Sequence, residues 1–545
     1  MFARVKKSGK YEYLQIVENS KVKGKVKQRV ISTLGRMDRL KDKDRIEPLV
    51  RSLSRFSDQA LLILSGKSDV SAKAKIIGPA LIFERLWKQT GIQQAIQNLL
   101  NERNFEFDIE RAIFLTVLHR LMESGSDRSC NKWHRDYIIN GVQDIELHHL
   151  YRAMAFLGEE LKDQSDSLPF SPRCNKDLVE ESLFSYRRDL FSGLELVFFD
   201  TTSIYFEGSG GDELGKRGYS KDHRPDLKQM IVGAVIDDKG CPICCEMWPG
   251  NVTDVKTILP VINRLKKRFH IGNVCIVADR GMISKSILEE LKKPGSSVSY
   301  ILGARMRNVK EIRESVLSRP GRYKEVRTGD NSKDNDPLKV KEVKLNETRY
   351  ILCFNPRQAR KDAQSREATI ESLHKKIKDG ASSLVGNKGY RKYVKIEKGG
   401  ASIDEEKIKR DARFDGKWVL NTNTNLSSDK VALKYKELWQ VERIFRDVKT
   451  LLETRPIFHQ RDNTIRGHVF CSFLALVMRK ELDRRLDNAG YHFEWADIKQ
   501  DLRSLSEVTI EESGKRLAVR SRSEGICGKV FQSVGVAMPA TIREL

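Results

Sequence analysis

Three acidic residues stand where carboxylates could hold metal ions. Asp200 ends the largely apolar run 194–199, and Asp279 ends the similar run 273–278. Both runs are typical of buried strands, and in open α/β sheets ligand sites collect at the carboxyl ends of strands. Together with Glu442, these aspartates could hold two divalent cations about 4 Å apart. Ligand sets made only of carboxylate oxygens favour Mg²⁺ or Mn²⁺.

Glu442 lies in the stretch 435–450, which has the apolar periodicity of a helix packed on a core. One continuous helix would carry Tyr435, Glu442 and Lys449, spaced seven apart, on a single face. The stripe predicted to be buried beside that face is Leu438, Val441, Phe445, Val448 and Leu452. Glu442 should then sit at the edge of the buried side. Taken alone, the stretch could equally be an ordinary amphipathic helix in which Glu442 pairs with an arginine.

These residues together resemble the DDE triad of bacterial insertion-sequence transposases. The family signature is Tyr, two residues, Arg, three residues, Glu, six residues, Lys. Tyr435, Glu442 and Lys449 fit that spacing, and Leu438 stands in place of the arginine. The resemblance extends over about residues 195–480, and its further matching stretches are 218–230, 248–254, 278–282 and 465–476.

The resemblance implies an α/β fold with an RNase H-like catalytic core. It implies that Asp200, Asp279 and Glu442 are both the catalytic residues and the metal ligands, with Mg²⁺ as cofactor and Mn²⁺ as a substitute. The expected reaction is cleavage of insertion-element ends and their transfer to target DNA. A catalytically inactive or domesticated DNA-binding protein, or another RNase H-like DNA nuclease, remains an alternative.

The resemblance also implies DNA contacts around this triad. Tyr435 is expected to contact the strand backbone, and Lys449 a phosphate near the scissile bond. Arg443 or Arg446 could supply the role of the missing signature arginine. Further candidates for phosphate contacts occupy the polar tract 220–228, for which a plain solvated loop is the alternative: Lys221, His223, Arg224 and Lys228.

Composition is consistent with a polyanionic partner. The chain has 545 residues and a formal net charge of +24, which favours binding to DNA or RNA with strong salt dependence. The longest apolar run, near residues 469–478, is about half a membrane span. The N-terminal stretch has no apolar run behind its charges, so we expect a cytoplasmic, nucleoid-associated protein. The resemblance adds double-stranded DNA as partner, in the form of terminal inverted repeats and target, and a homodimeric synaptic complex.

Changes in pattern along the chain predict six regions. They are a basic β-hairpin module (1–45), a mainly helical candidate DNA-binding region (46–190), the first part of the core (191–305), a mixed, β-rich insertion domain (306–430), the second part of the core (431–485) and a C-terminal tail region (486–545). The hairpin module could contact the element ends, or it could be a small solvated β-unit with a lysine-rich edge. The polar stretch 163–172 is predicted to be a linker.

Three features are predicted to be structural. Cys241, Cys244 and Cys245 lie in an apparent hairpin strand, so we expect reduced core thiols rather than a zinc site. Trp418 could stack on a flipped base, as an insert aromatic does in related enzymes, but a core tryptophan on a strand is the favoured interpretation. His468 is expected to pack or cap rather than to bind metal.

Overall fold

The computed structural model describes residues 2–22, 25–42, 71–101, 103–167, 171–187, 195–270, 274–282, 284–292, 298–326, 337–378, 392–397, 400–451, 454–512 and 515–545, with isolated residues between 46 and 52. The chain divides into two compact units. The first comprises Met1–Ala74, Glu507–Arg520 and Ala540–Leu545, and the second comprises Lys75–Ser506 and Ser521–Pro539. Among the described helices, none combines the length and apolarity that crossing a bilayer would require.

The N-terminal module is a three-stranded antiparallel sheet rather than a two-stranded hairpin. Its strands are β1 (Phe2–Ser8), β2 (Tyr11–Val22) and β3 (Lys25–Arg36), followed by helix α1 (Met37–Asp42). The predicted β2–β3 hairpin is confirmed, but β1 pairs with the other side of β2. The sequence MFARVKKS alternates weakly, so only its partner strand reveals it as a strand. Strand β4 (Ser71–Ile76) follows.

Between residues 75 and 187, the described part of the chain before the core is mainly helical. Its helices are α2 (Gly78–Gln89), α3 (Ile92–Leu100), α4 (Ile109–Met122), α5 (Asp127–Trp133), α6 (Leu147–Leu157) and α7 (Asn175–Arg187). Helix α5 begins directly after Ser126, whose hydroxyl caps it by accepting from the Ser129 amide. The stretch 163–172 does not separate two compact units, since Lys75–Ser506 pack as one.

The core begins with five strands and two helices. They are β5 (Glu195–Tyr205), β6 (Gln229–Ile236), β7 (Pro242–Pro249), α8 (Ile258–Phe269), β8 (Val274–Ala278), α9 (Lys285–Leu291) and β9 (Val298–Gly303). Strands β5, β6 and β7 form an antiparallel meander, β8 lies parallel to β5, and β9 lies parallel to β8. The resulting order, β7-β6-β5-β8-β9, is that of an RNase H-like sheet, which confirms the predicted fold class.

The insertion continues the core sheet. Its elements are β10 (Lys324–Val326), β11 (Leu338–Leu345), β12 (Thr348–Phe354), α10 (Pro356–Lys378), β13 (Val394–Glu397), β14 (Gly400–Ile403), α11 (Glu405–Ala412) and β15 (Lys417–Thr422). Strand β15 pairs with β9, and β12, β11 and β10 follow, so that the sheet has nine strands. Trp418 lies on β15 and packs against the main core, in agreement with the structural interpretation.

The second part of the core and the tail are mainly helical. They contain α12 (Ser428–Lys436), α13 (Trp439–Arg446), a π-helical turn (Asp447–Leu451), α14 (Asp462–Asn488), α15 (Trp495–Ser504), β16 (Ser506–Glu512), β17 (Lys515–Arg520), α16 (Cys527–Val534) and β18 (Ile542–Glu544). Helix α14 packs against α4 and α6. Strands β16, β17 and β18 form a sheet with β4, a pairing between the two ends of the chain that no local pattern predicts.

Different helices cover the two faces of the core sheet. Phe198 and Val277 point to the face covered by α13 and α14, whereas Val197 and Ile276 point to the face covered by α8 and α9. Successive side chains of a strand alternate between the faces. The position of a strand residue therefore decides which helices its side chain meets.

Candidate active site

Asp200 and Asp279 lie side by side on neighbouring parallel strands. Phe198 is paired with Val277 in the β5–β8 register, so Asp200 and Asp279, each two residues further on, stand at the same level. Both continue the alternation of Phe198 and Val277, which places them on the face covered by α13. The predicted proximity of the two acids follows directly from this register.

The prediction that Asp200 ends its strand is wrong. Strand β5 runs on to Tyr205, because β6 pairs with it from Gln229 to Ile236. The β-branched residues after Asp200 suit a strand, although the apolar run ends there. The parallel strand β8 ends at Ala278, beside Asp200. Asp200 therefore pairs with a neighbouring strand on one side only, where it faces Ala234 of β6.

The stretch 435–450 is not one helix. Helix α12 ends at Lys436 and α13 begins at Trp439, because the amides of Leu438, Gln440 and Val441 bond to carbonyls three residues back. The predicted buried stripe is nonetheless confirmed for Leu438, Val441, Phe445 and Val448, while Leu452 lies outside the described residues. Leu438 is buried in the core, so the side chain at the signature arginine position does not reach solvent.

Tyr435 holds one of the acids. Its hydroxyl, in the last turn of α12, donates at 2.9 Å to Oδ1 of Asp279, the residue that follows β8. Burial, reinforced by the Asp279 carboxylate, raises the pKa of Tyr435 well above its usual value, so the phenol stays protonated as a donor. This contact orients Asp279, a role that the linear spacing of Tyr435 and Glu442 did not indicate.

Glu442 sits in the first turn of α13 and is exposed, rather than at the edge of the buried side as predicted. Its neighbour Val441 anchors the helix in the core that also contains Phe198 and Val277. In the described part of the chain, Asp200, Asp279 and Glu442 do not form a group whose ligand oxygens all lie within 4.8 Å of one another. The structure therefore pairs the two aspartates and places Glu442 on the helix that packs over them.

The environment of Asp200 suits a divalent cation. Burial raises the pKa of Asp200 to about 6, and the carboxylates of Asp254 and Asp279 act in the same direction. The ammonium group of Lys221 and the Thr201 amide, 2.7 Å from Asp200 Oδ1, oppose this rise. Carboxylates that raise one another's pKa are stabilised by a bound cation, and their hard oxygens suit Mg²⁺.

Asp254 is a fourth acid at this site that sequence reasoning missed. Its Oδ1 accepts from Thr201 Oγ1 at 2.6 Å, and its Oδ2 lies 3.0 Å from Lys221 Nζ. Lys221 Nζ also donates to the Thr201 carbonyl at 2.7 Å. The available signal was the stretch 248–254, which matches the family and ends in this residue. Lys221, a candidate phosphate contact, is thus held against the strand that carries Asp200.

The remaining candidate DNA contacts separate into two groups. Lys449 is half-buried and donates to Asp222 at 2.7 Å; burial lowers the pKa of Lys449, and Asp222 opposes that effect. Arg224 pairs with Asp226 at 2.9 Å, and Lys228 donates to the Ser209 carbonyl at 2.9 Å. These lysines and this arginine all contact residues of the segment between β5 and β6.

Arg443 and Arg446 point elsewhere. Both are exposed on α13. Arg443 lines a small cavity between α13 and α14 together with Asp447 and Asp483. Arg443 is therefore placed beside α14, and neither arginine is brought to the position that Leu438 occupies in the signature.

His468 lies in a buried polar cluster between the helices. Its Nε2 is 3.2 Å from the Thr454 carbonyl, and its Nδ1 is 2.8 Å from Arg120 and 3.2 Å from His459 Nε2. Asp127, His459 and His468 are the group in the described residues whose ligand atoms lie within 4.8 Å of one another. Arg120 already uses the His468 Nδ1 lone pair, which favours the packing role. Cys244 and Cys245 are buried free thiols on β7, and Cys241 is a partly buried free thiol just before that strand.

We expect Tyr435→Phe to raise the divalent metal concentration needed for half-maximal DNA cleavage by about tenfold or more, because ligand-orienting hydrogen bonds have effects of that size. The measurement is a metal titration of cleavage, with DNA affinity measured in parallel. Weaker DNA binding with an unchanged metal titration would instead make Tyr435 a contact to the DNA backbone.

Known proteins match the chain in two segments. The family described as transposase DDE domain matches residues 192–478, and the family described as IS1634 family transposase, N-terminal domain, matches residues 3–68. No curated protein matches the chain. Among solved structures, the chain is similar to a cryo-EM structure of the piggyBac transposase synaptic complex with hairpin DNA. The two chains are 10% identical with a TM-score of 0.37, and the match covers 78% of this chain and 80% of that one.

Proposed function

This chain belongs to the transposase DDE domain family and is a DNA transposase, and we propose that Asp200, Asp279 and Glu442 are its catalytic carboxylates. The observation that supports this assignment most is the register of β5 and β8, which sets the two aspartates side by side beneath the helix of Glu442. Family membership also implies a dependence on divalent metal ions, for which we propose Mg²⁺, with Mn²⁺ as a substitute.

The proposed reaction has two phosphoryl transfers. Water attacks the phosphodiester at the element end, and its P–O bond breaks to release a 3′-hydroxyl. This 3′-hydroxyl then attacks a phosphodiester of target DNA, forms a new ester bond to its phosphorus and displaces the target strand's 3′-hydroxyl. Divalent cations held by the three carboxylates would lower the pKa of each nucleophile and stabilise the leaving oxygen. No covalent bond to the protein is required, because positioning and electrostatics carry phosphoryl transfer.

The chain's own residues would position the reacting groups. Tyr435 fixes the orientation of Asp279 through its hydrogen bond. The positive charge of Lys221 partly offsets the repulsion between Asp200 and the carboxylates of Asp254 and Asp279. Lys449 offers an ammonium group for a phosphate near the scissile bond. The DNA partners would be the terminal inverted repeats and the target DNA. Binding to them would place the protein at the nucleoid. A homodimer would pair the two element ends.

The experiment that tests this function uses a plasmid carrying the gene and its native flanks. Purified protein is incubated with it in Mg²⁺ or in EDTA, with Glu442→Gln as the control variant. We expect double-strand ends at the element boundary that need Mg²⁺ and are absent with the variant. DNA binding without ends in any sample would favour an inactive DNA-binding protein. Cleavage unrelated to the boundary would favour another RNase H-like nuclease.

A further inference from the structure

Asp222 brings two cations together in the segment between β5 and β6. Its Oδ1 lies 2.7 Å from Lys449 Nζ and 2.5 Å from Arg455 Nη1. The three side chains are largely withdrawn from solvent, at 7% exposed for Asp222, 12% for Lys449 and 24% for Arg455. Lys449 and Arg455 thus converge on one oxygen from opposite ends of a short segment after α13.

The contact satisfies only half of the carboxylate. Asp222 Oδ2 is buried and has no hydrogen-bond partner in the described part of the chain, while both cations share Oδ1. Buried polar atoms are nearly always paired, and the exceptions call for an explanation. A group with two acceptor oxygens set further apart could give each cation an oxygen of its own.

The neighbouring cations extend this site along the strand that carries Asp200. The guanidinium groups of Arg455 and Arg224 lie 5.8 Å and 5.6 Å from the centre of the Tyr205 ring. Tyr205 is five residues beyond Asp200 on β5, a distance of about 16 Å at the rise of a strand. Lys221 bonds to Thr201 Oγ1 at 2.9 Å. Thr201 and Tyr205 are four residues apart and so point to the same face of β5, and basic groups therefore line that face of the strand beside Asp222.

We propose that Lys449 and Arg455 form a binding site for a backbone phosphate of DNA, and that Asp222 occupies this pair until a phosphate displaces it. A phosphodiester has two non-bridging oxygens, so it can accept from both cations separately. Arg455 lies outside the signature that the sequence matches, and Asp222 acts as an internal competitor. This proposal rests on the proposed function in two respects: DNA is the substrate, and Lys449 contacts one of its phosphates. The new elements are Arg455 as the second cation and Asp222 as the competitor.

A purely structural ion triad makes the opposite prediction for Asp222. If Asp222 served only to join the loop to the helix, its removal would weaken folding and leave DNA binding unchanged or poorer. If it competes with phosphate, Asp222→Asn should tighten DNA binding, because two cations are released. The two roles can therefore be separated by measuring affinity and thermal unfolding on the same variants.

The experiment measures fluorescence anisotropy of a labelled duplex taken from the DNA flanking the gene. All variants carry Glu442→Gln and are titrated in EDTA at several KCl concentrations, so that no cleavage occurs. We expect Asp222→Asn to tighten binding by about threefold to tenfold. Arg455→Met should weaken it and lower the salt slope by about one, whereas Arg455→Lys, which keeps the charge, should keep the slope.

The control is Glu314→Gln, which removes the same charge from an exposed pair with Arg313. The double variant Asp222→Asn/Arg455→Met should lose the tightening, since the two residues act on the same phosphate. Equal affinities for Asp222→Asn and Glu314→Gln, with an unchanged slope in Arg455→Met, would overturn the proposal. Because binding is measured without cleavage, that outcome leaves the assignment of the catalytic acids intact. Conversely, plasmid cleavage unrelated to the element boundary would count against the proposed function and not against the phosphate site at Lys449 and Arg455.

Discussion

Asp279→Asn is expected to lower the rate of element-end cleavage at least about 10³-fold, while DNA affinity changes less than about threefold. An amide in place of the carboxylate removes a metal ligand, and metal ions contribute several kcal/mol of transition-state stabilisation. Asp200→Asn should have an effect of the same size, because the two acids stand at the same level of adjacent strands. The measurement is single-turnover cleavage of an end-bearing duplex in Mg²⁺.

Asp254→Asn is the matched comparison. It removes one carboxylate of the same site, but one that is engaged by Thr201 and Lys221. We expect a smaller loss of rate, about tenfold, because Asp254 positions its neighbours rather than holding the cation. Cleavage near the wild-type rate in Asp279→Asn would refute the assignment of this acid. A loss in Asp254→Asn as large as that in Asp279→Asn would make Asp254 one of the ligands.

Arg268→Met is expected to destabilise the second unit by about 3–5 kcal/mol, the cost of removing one partner from a buried ion pair. The Arg268 guanidinium lies 2.8 Å from Glu180 and from Glu181, 3.2 Å from Asp177 and 3.3 Å from Glu246. It connects α7, α8 and β7 on the side of the sheet away from α13. The variant would leave these carboxylates short of a positive charge in a solvent-free setting.

The cluster as a whole is charge-balanced at its centre. Lys176, Arg264 and Arg268 face the three fully buried acids Asp177, Glu180 and Glu246. Burial acts to raise the pKa of Asp177, but the three cations hold it below its usual value. Each group is therefore tolerated inside the protein only because its partners are present.

The check is chemical denaturation followed by far-UV circular dichroism. The control is Arg103→Met, which breaks an exposed pair with Glu159 at 2.8 Å and should cost no more than about 1 kcal/mol. A midpoint for Arg268→Met that matches that of Arg103→Met would mean that the buried cluster relaxes or admits water, and that it does not hold α7 and α8 on the sheet.

Much of the fold is encoded in short-range periodicity. The apolar runs before Asp200 and Asp279 predict buried strands because a strand with two covered faces needs apolar side chains throughout. The stripe containing Val441 and Phe445 predicts a packed helix because side chains recur every 3.6 residues. Both predictions are confirmed: Asp200 lies on one strand of the core sheet, Asp279 directly follows a neighbouring strand, and Glu442 lies on a helix that packs against the same core.

Local patterns could not reveal contacts between distant segments. Leu438, at the break between α12 and α13, is buried in the core, and Tyr435, in the last turn of α12, bonds to Asp279, which is 156 residues earlier in the chain. The pairing of β4 with the C-terminal strands depends on which free edges meet. Helical spacing gives the direction of a side chain only relative to its own helix.

The sequence by itself therefore singled out the residues that we propose do the chemistry: Asp200, Asp279 and Glu442, with Tyr435 and Lys449 at signature spacing. Only the tertiary structure decided what surrounds them. Asp254 joins the site and Asp222 joins Lys449 to Arg455, and both do so across segments that are remote in the chain. The physical reason is that backbone geometry fixes periodicity within an element. Burial, charge and hydrogen bonding between elements are fixed only once the sheet has formed and the helices have packed on it.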